Sequence, residues 1–431
     1  MKTILRPEAM GTDKSVAVED SIMLKDVICT AGSGILHNFV SPLTAAVADK
    51  LTDAGYVITG TAQMDEFGLD RVTPDRTETQ CGAVESVASG EACFALGNDL
   101  SGKLRRQAAQ AGLCYLHPTY GTVSRYGLIA AAASMDQIGV AAKTPSDAFE
   151  LLSVIAGHDS RDGAMYPEES NTFSANGVMP IGEAGINAPN VTEAESAKAY
   201  NTSNSVGGVA AAKVYIPANL WEKALPEDKE AMTAFAAKFE TEQMMLPYIE
   251  HYAAAQCILT SAEISNNISR FDGIKFGLRA ENFRGLDELY TKSRTEGFDL
   301  EAKLCALLGC LVLSEEYYTP YYDKAMRMRR LIRDTLLRLL RSDNLSSDNL
   351  SSDNQISDRV VSGNQFLNGY NLLLLPARLN GTPFQQSAVY APATLAGLPA
   401  LSFPYEGGIL QLIAAPKGES KLRCAWEVAS R

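Results

Sequence analysis

Short apolar runs alternate with stretches of helical periodicity along this chain. Residues 22–29, from Ile22 to Cys29, read as a buried strand carrying one lysine, Lys25. Residues 42–54 place Leu43, Ala46, Val47, Lys50 and Leu51 at helical spacing. Gly55 ends that helix, and Tyr56 to Gly60 follows as a strand. Together they predict a β-α-β unit, whose usual outcome is parallel pairing. Residues 84–96 are small and apolar and predict a closely packed helix. Residues 146–156 predict another, capped by Thr144 or Ser146 and followed by Gly157. Residues 222–270 and 299–340 read as helical, and Leu372–Leu375 and Ala400–Phe403 as short apolar strands, each followed by proline. The alternation predicts an α/β fold with a mixed, mostly parallel central sheet covered by helices on both faces.

Two stretches break the pattern. Residues 167–208, rich in Asn, Gly, Ser, Ala and Glu, predict a long surface excursion, and residues 342–354 repeat Ser-Asp-Asn-Leu-Ser, a low-complexity loop expected to be disordered. The expected organisation is one domain over 1–431. It comprises a core with motifs at 20–165, a variable excursion at 166–215, a helical cap and substrate region at 216–340, and C-terminal core strands at 360–431.

Composition narrows the function classes. With 46% hydrophobic and 21% charged residues, the 431-residue chain reads as soluble and globular. A net charge of −13 argues against direct nucleic-acid binding by the chain alone, and no apolar run reaches a membrane span. The polar, mixed-charge start and eight scattered cysteines without a C-x-x-C pair predict reduced thiols in a cytoplasmic protein. Four isolated histidines give no metal-ligand spacing, and no cofactor is expected. Gly97-Asn-Asp-Leu-Ser-Gly-Lys-Leu lacks the first glycine spacing and final hydroxyl of a phosphate-cradling loop. Nothing fixes Glu78, Glu85, Asp99 and Asp136 at the separation that a paired-carboxylate site needs.

The segment Gly97-Asn-Asp-Leu-Ser-Gly-Lys-Leu-Arg105 resembles the nucleophile loop G-S-D-T-G-G-S-I-R of the amidase-signature family. Further segments follow in order: Leu24-Lys25-Asp26, Met64-Asp-Glu-Phe67, His117-Pro-Thr-Tyr-Gly121, Met135-Asp-Gln-Ile-Gly139, Arg270-Phe-Asp-Gly273 and Leu395-Ala-Gly-Leu-Pro-Ala400. Jointly they resemble the A subunits of glutamyl-tRNA(Gln)/aspartyl-tRNA(Asn) amidotransferases over most of the chain.

That family hydrolyses amides with a Ser–cis-Ser–Lys triad, in which a neutral lysine accepts the proton that frees a serine to attack. The resemblance puts the lysine at Lys25, the cis serine at Thr79 and the nucleophile at Lys103. Only Gly82 survives of the glycines around the cis serine, with Thr77, Glu78 and Cys81 in the others' places, and about fifteen residues before that loop are deleted. Ser101 is a displaced candidate hydroxyl, as are Thr79 and Cys81. The family's carboxylate clamp falls on Arg329, its ammonium-holding acid on Ser387, and Asp99 lies within the nucleophile loop as a further substrate-side candidate. The basic run from Arg327 to Arg341 reads equally as a solvated helix face. The resemblance implies an amidase-fold protein without its attacking group, acting as a structural or regulatory subunit with B-type and C-type partners. The alternative is an active, divergent enzyme working on glutamine or another small amide around Lys25, Thr79 and Ser101.

Overall fold

In the computed structural model, which describes residues 3–69, 81–168, 213–340, 371–381 and 383–431, eleven strands form a single sheet. They are β1 (Thr3–Ile4), β2 (Ser15–Glu19), β3 (Val57–Ala62), β4 (Phe94–Asn98), β5 (Cys114–His117), β6 (Ile138–Ala142), β7 (Lys213–Pro217), β8 (Glu240–Met244), β9 (Asn371–Pro376), β10 (Ala400–Tyr405) and β11 (Gly408–Ile413). Their spatial order is β1-β3-β2-β4-β6-β5-β10-β11-β9-β7-β8. The sheet is mixed, as expected. Parallel pairing is confined to β3-β2-β4 and β9-β7-β8, four of the ten neighbouring pairs, and the middle of the sheet is antiparallel.

Alternation along the central strands fills two cores. Leu372, Leu374, Leu410 and Leu412 face one side, while Leu373, Leu375, Ile409 and Ile413 face the other. The first side is covered by α1 (Ala46–Asp53), α4 (Pro145–Ile155), α5 (Pro226–Ala236) and the C-terminal helix Glu419–Ala429. The second is covered by α6 (Tyr252–Asn267), α7 (Leu300–Leu313), α8 (Lys324–Leu340) and α10 (Ala391–Ala396). Two short helices, α2 (Gly82–Ala88) and α3 (Lys103–Gln110), flank β4, and a third, α9 (Pro383–Ser387), precedes α10. Among the described residues no helix is long and apolar enough to cross a membrane.

The expected β-α-β unit exists, but its first strand is Ser15–Glu19, not residues 22–29. The Asp20 carboxylate accepts the Thr30 N–H at 3.0 Å and the Thr30 hydroxyl, and the Asp20 carbonyl accepts the Ala31 N–H at 3.0 Å. These bonds tie the ends of 20–31 into a closed loop. Lys25 and Asp26 stand exposed on its turn, Asp26 with φ of 62°, and the loop pairs with its surroundings through the isolated bridges Ile22–Leu128 and Ile28–Val40 and scattered backbone bonds, not through a strand ladder. The helix expected over 84–96 stops at Ala88; Gly90, at φ of 77°, turns the chain into β4. The helical stretch 222–270 is interrupted by β8, and 299–340 by a π-helical turn at Tyr318–Asp323 that contains Pro320. Helix α4 forms as expected, with Thr144 Oγ1 accepting the Asp147 N–H at 3.2 Å. The repeat at 342–354 and most of the excursion at 167–208 lie outside the described residues.

Candidate functional site

Strands β2 and β4 run parallel, with Val18 beside Leu96, so their carboxyl ends finish together at Glu19 and Asn98. In α/β sheets this edge is where ligands bind and chemistry collects. The chain leaves β4 through residues 99–102 and enters α3 at Lys103.

The loop is locked from below. Asn98 Nδ2 donates to Asp136 Oδ1 at 2.9 Å, and Asn98 Oδ1 accepts the Gln137 N–H at 2.9 Å. Asp99 accepts the Leu104 N–H at 3.0 Å and the Arg105 Nε–H. The fully buried Arg105 guanidinium also donates to Gln411 Oε1 at 3.1 Å, Thr394 Oγ1 at 2.7 Å and the Tyr390 carbonyl at 3.3 Å, welding the loop to β11 and to the head of α10. His117 lies 3.9 Å from Asp99; burial and the Arg105 charge hold its imidazole well below the ordinary range, so it stays neutral. Gly102 is required, because its φ is 89° and a Cβ there would lie 2.1 Å from the Tyr390 Cβ. Asp99 is therefore a structural anchor of the loop.

Lys103 opens α3, where the helix dipole disfavours a cation. The side chain is nonetheless almost fully buried, and its Nζ donates to the Asp65 carboxylate. A second carboxyl, Glu19, interacts with it from the end of β2. Glu19 Oε2 accepts the Asn98 N–H at 2.7 Å, and Gly97 makes room, since a Cβ there would lie 2.8 Å from the carboxyl carbon. Burial pushes the Glu19 pKa from 4.5 up to about 8; Asp99 and Asp65 raise it further, while the Asn98 N–H and Lys103 oppose the rise. Burial also pushes the Cys81 thiol well up, so at neutral pH it is not a thiolate nucleophile.

The remaining expected site residues do not converge here. Thr79, with Glu78, lies outside the described residues. Lys25 points into solvent from its turn, and its backbone N–H donates to Thr44 Oγ1 at 3.3 Å. Ser101 Oγ is buried with no hydrogen-bond partner among the described residues, so no base addresses it; it borders a cavity on the α6 and α7 side. The Arg329 fork is taken by the protein itself: Nε donates to the Leu395 carbonyl at 2.9 Å, and Nη1 and Nη2 donate to Ser134 Oγ and its carbonyl, each at 2.7 Å. Ser134 in turn is held by Glu263. Ser387 borders the same cavity as Ser101, with its hydroxyl donating to the Phe384 carbonyl at 2.7 Å. Among the described residues no three His, Cys, Asp or Glu side chains are placed to hold a metal ion. Sequence reasoning misses Glu19 and Asp65 as site residues. The one signal for Glu19 is a charged residue closing the short apolar run Val-Ala-Val-Glu19.

The Amidase family model matches residues 15–79 and 81–408. The A subunit of glutamyl-tRNA(Gln) amidotransferase from Lachnoclostridium phytofermentans is 34% identical over 341 residues, covering 74% of this chain and 63% of the relative. The Enterococcus faecalis protein of the same name is 32% identical over 412 residues, covering 90% of this chain and 75% of the relative. The match to the first of these thus spans less than two thirds of that relative's length. Among solved structures, the Thermotoga maritima A subunit superposes with a TM-score of 0.62 at 25% identity, covering 94% of this chain and 80% of that one. A 6-aminohexanoate cyclic dimer hydrolase, at 16% identity and a TM-score of 0.65, covering 96% of this chain and 84% of its own, shares the fold.

Proposed function

The chain belongs to the amidase family, and from that premise we propose that this protein, similar to amidotransferase A subunits, is impaired as an amide hydrolase. In this reading it serves as a structural or regulatory subunit beside B-type and C-type partners. The observation that carries the proposal is the pair of charges at the head of α3. The position that should hold an attacking hydroxyl holds Lys103, neutralised by Asp65. The side chain facing it from β2 is the Glu19 carboxyl, and we read Glu19, not the exposed Lys25, as standing where the family's lysine base works.

Such a centre has exchanged the chemistry of its parts. The family's triad works with a hydroxyl and a neutral amine base able to take its proton. Here the amine is on the nucleophile's side and is paired as a cation, while the opposite group is a carboxyl whose burial favours its protonated form. Were Lys103 to shed its proton and attack, the acyl product would be a stable amide and turnover would stop. The reading of an active enzyme built on Lys25, Thr79 and Ser101 would need Lys25 inside the site; its exposure counts against that reading.

The test is ammonia release from glutamine by the purified chain, alone and with B-type and C-type subunits. We expect none, and we expect Lys103→Ser alone not to restore it, because Glu19 still faces the new hydroxyl. Release by the unmodified protein that Lys25→Ala abolishes would establish the active alternative.

A further inference from the structure

Three neighbouring parallel strands deliver three ionisable side chains to one place. Glu19 ends β2, the middle strand. On one side β3 ends at Ala62, paired with Glu19, and leads to Asp65; on the other β4 leads through the locked loop to Lys103. The Glu19 carboxyl carbon and Leu104 Cδ1 lie 2.8 and 2.6 Å from where a Cβ on Gly97 would stand, so Glu19 is set beside the first turn of α3. Lys103 Nζ contacts the Asp65 carboxylate, and the two side chains are only 7% and 16% exposed. The elements that carry all three residues pack through a buried apolar cluster that includes Ala17, Ala62, Val84, Ala95 and Leu104. Neither backbone can back away. Lys103 follows the loop anchored by Asp99 and Arg105. Asp65 is held by Gly32, where a Cβ would lie 2.7 Å from the Asp65 carbonyl oxygen, and by the Phe67 N–H, which donates to the Ala31 carbonyl at 2.7 Å.

An amine and a carboxyl group held in contact in a nearly dry site can react as they do not in water. Fixed positioning supplies effective concentrations of about 10⁵–10⁸ M, and two buried charges that are costly to keep vanish in the product. We propose that Lys103 and Asp65 condense to a side-chain amide, an isopeptide bond, with Glu19 carrying the protons. The Lys103 ammonium first passes a proton to the Asp65 carboxylate, leaving an amine and an acid. The Nζ lone pair attacks Cγ, and the carbonyl electron pair moves onto oxygen. Glu19 gives its proton to the departing hydroxyl and takes one back from the attacking nitrogen, so it ends as it began. The Cγ–O bond breaks and one water leaves; no oxidant or other reactant is consumed. Burial favours the protonated Glu19 from which these steps start. The bond ties residues 38 apart in the chain. It goes beyond the impaired-hydrolase reading, because the amine at the nucleophile's position is spent on the protein's own carboxyl group.

The experiment is the intact mass of the full chain, purified and fully denatured. It should fall short of the sequence mass by one water, and proteolysis should release one branched peptide joining the segments that contain Asp65 and Lys103. Lys103→Arg and Asp65→Ala should each show the full mass of their sequences; if either fails to fold, the branched peptide from the native chain carries the test. Asp65→Asn should reach the same final mass as the native chain, because it loses ammonia where the carboxyl group loses water. Glu19→Gln should slow the mass loss, followed from the time of synthesis, by about a hundredfold, the lower end of what a positioned acid–base group contributes. Aged, fully linked Glu19→Gln is then the partner for the native chain in unfolding comparisons, which separates the bond from the titration of Glu19. A native chain at its full sequence mass, or a water lost without a branched peptide, as from a cyclised aspartyl residue, would overturn the bond. An unslowed Glu19→Gln would overturn the part given to Glu19. Ammonia release is read separately, so an absent bond and an unexpectedly active centre are distinguishable.

Discussion

Replacing Glu19 by glutamine isolates the electrostatics of the rebuilt centre. The amide side chain keeps the shape and the carbonyl oxygen that accepts the Asn98 N–H, and it removes only the ability to ionise. In the native protein the Glu19 pKa rises from 4.5 to about 8, chiefly through burial, with Asp99 and Asp65 adding to the rise and Lys103 and the Asn98 N–H opposing it. The sign follows from linkage. Between these two values the folded state holds a proton that the unfolded chain has lost, so the stability that Glu19 contributes is whole below about 4.5 and drains away as pH rises through about 8. The drain is about 1.4 kcal/mol per pH unit across the window, or roughly 3 kcal/mol by pH 7. Urea unfolding of native protein and Glu19→Gln in parallel at pH 5, 6, 7 and 8 reads the difference, and other titrating groups, including Glu66 with its pKa raised to about 7, cancel. The two should be nearly equal at pH 5, and the variant should become progressively more stable toward pH 8. A difference that stays flat with pH, or a variant less stable at pH 8, would refute the reasoning: Glu19 would then be ionised and satisfied by Lys103 across the range.

Other consequences are simpler to read. Arg105→Leu leaves the Asp99 carboxylate buried without its cation and should cost about 3–5 kcal/mol in unfolding free energy; Arg105→Lys should recover only part, because one ammonium cannot reach Asp99, Gln411 and Thr394 together. Gly102→Ala should lower stability by at least about 1–3 kcal/mol, since it meets both a positive φ and the Tyr390 side chain; an unchanged melting temperature would show that the loop relaxes freely. Electrophoretic mobility shift with tRNA at low salt should show no complex with the chain alone, whose net charge is −13. Tight, salt-sensitive binding would place a local basic patch, such as that around Arg327 to Arg338, above the net charge.

Much of the scaffold is local and legible in the order of residues. The Thr144 cap with its following helix, the leucines of β9, the apolar start of β10 and the strand after Gly55 each follow from a few neighbouring residues. So does the departure at position 103, because its place in a strand–loop–helix segment is set by the loop's own motif. What surrounds Lys103 is not local. Glu19 reaches Asn98 across 79 residues of chain, and Asp65 reaches Lys103 across 38; tertiary folding brings them together, and periodicity carries no trace of it. The apolar run at 22–29 misleads for the same reason: its hydrophobicity is real, but bonds from Asp20 to Thr30 and Ala31 close it into a loop and leave Lys25 in solvent. Arg329 likewise carries the right chemistry for a carboxylate, and only the packing of α8 beside Ser134 and α10 decided that its donors go to Ser134 and Leu395. By itself the sequence determined which elements form and which residue types stand in the motif, because those depend on dihedral preference and nearest-neighbour burial. The tertiary structure alone decided which charges meet, because a buried charge is tolerated only where a distant segment supplies its partner.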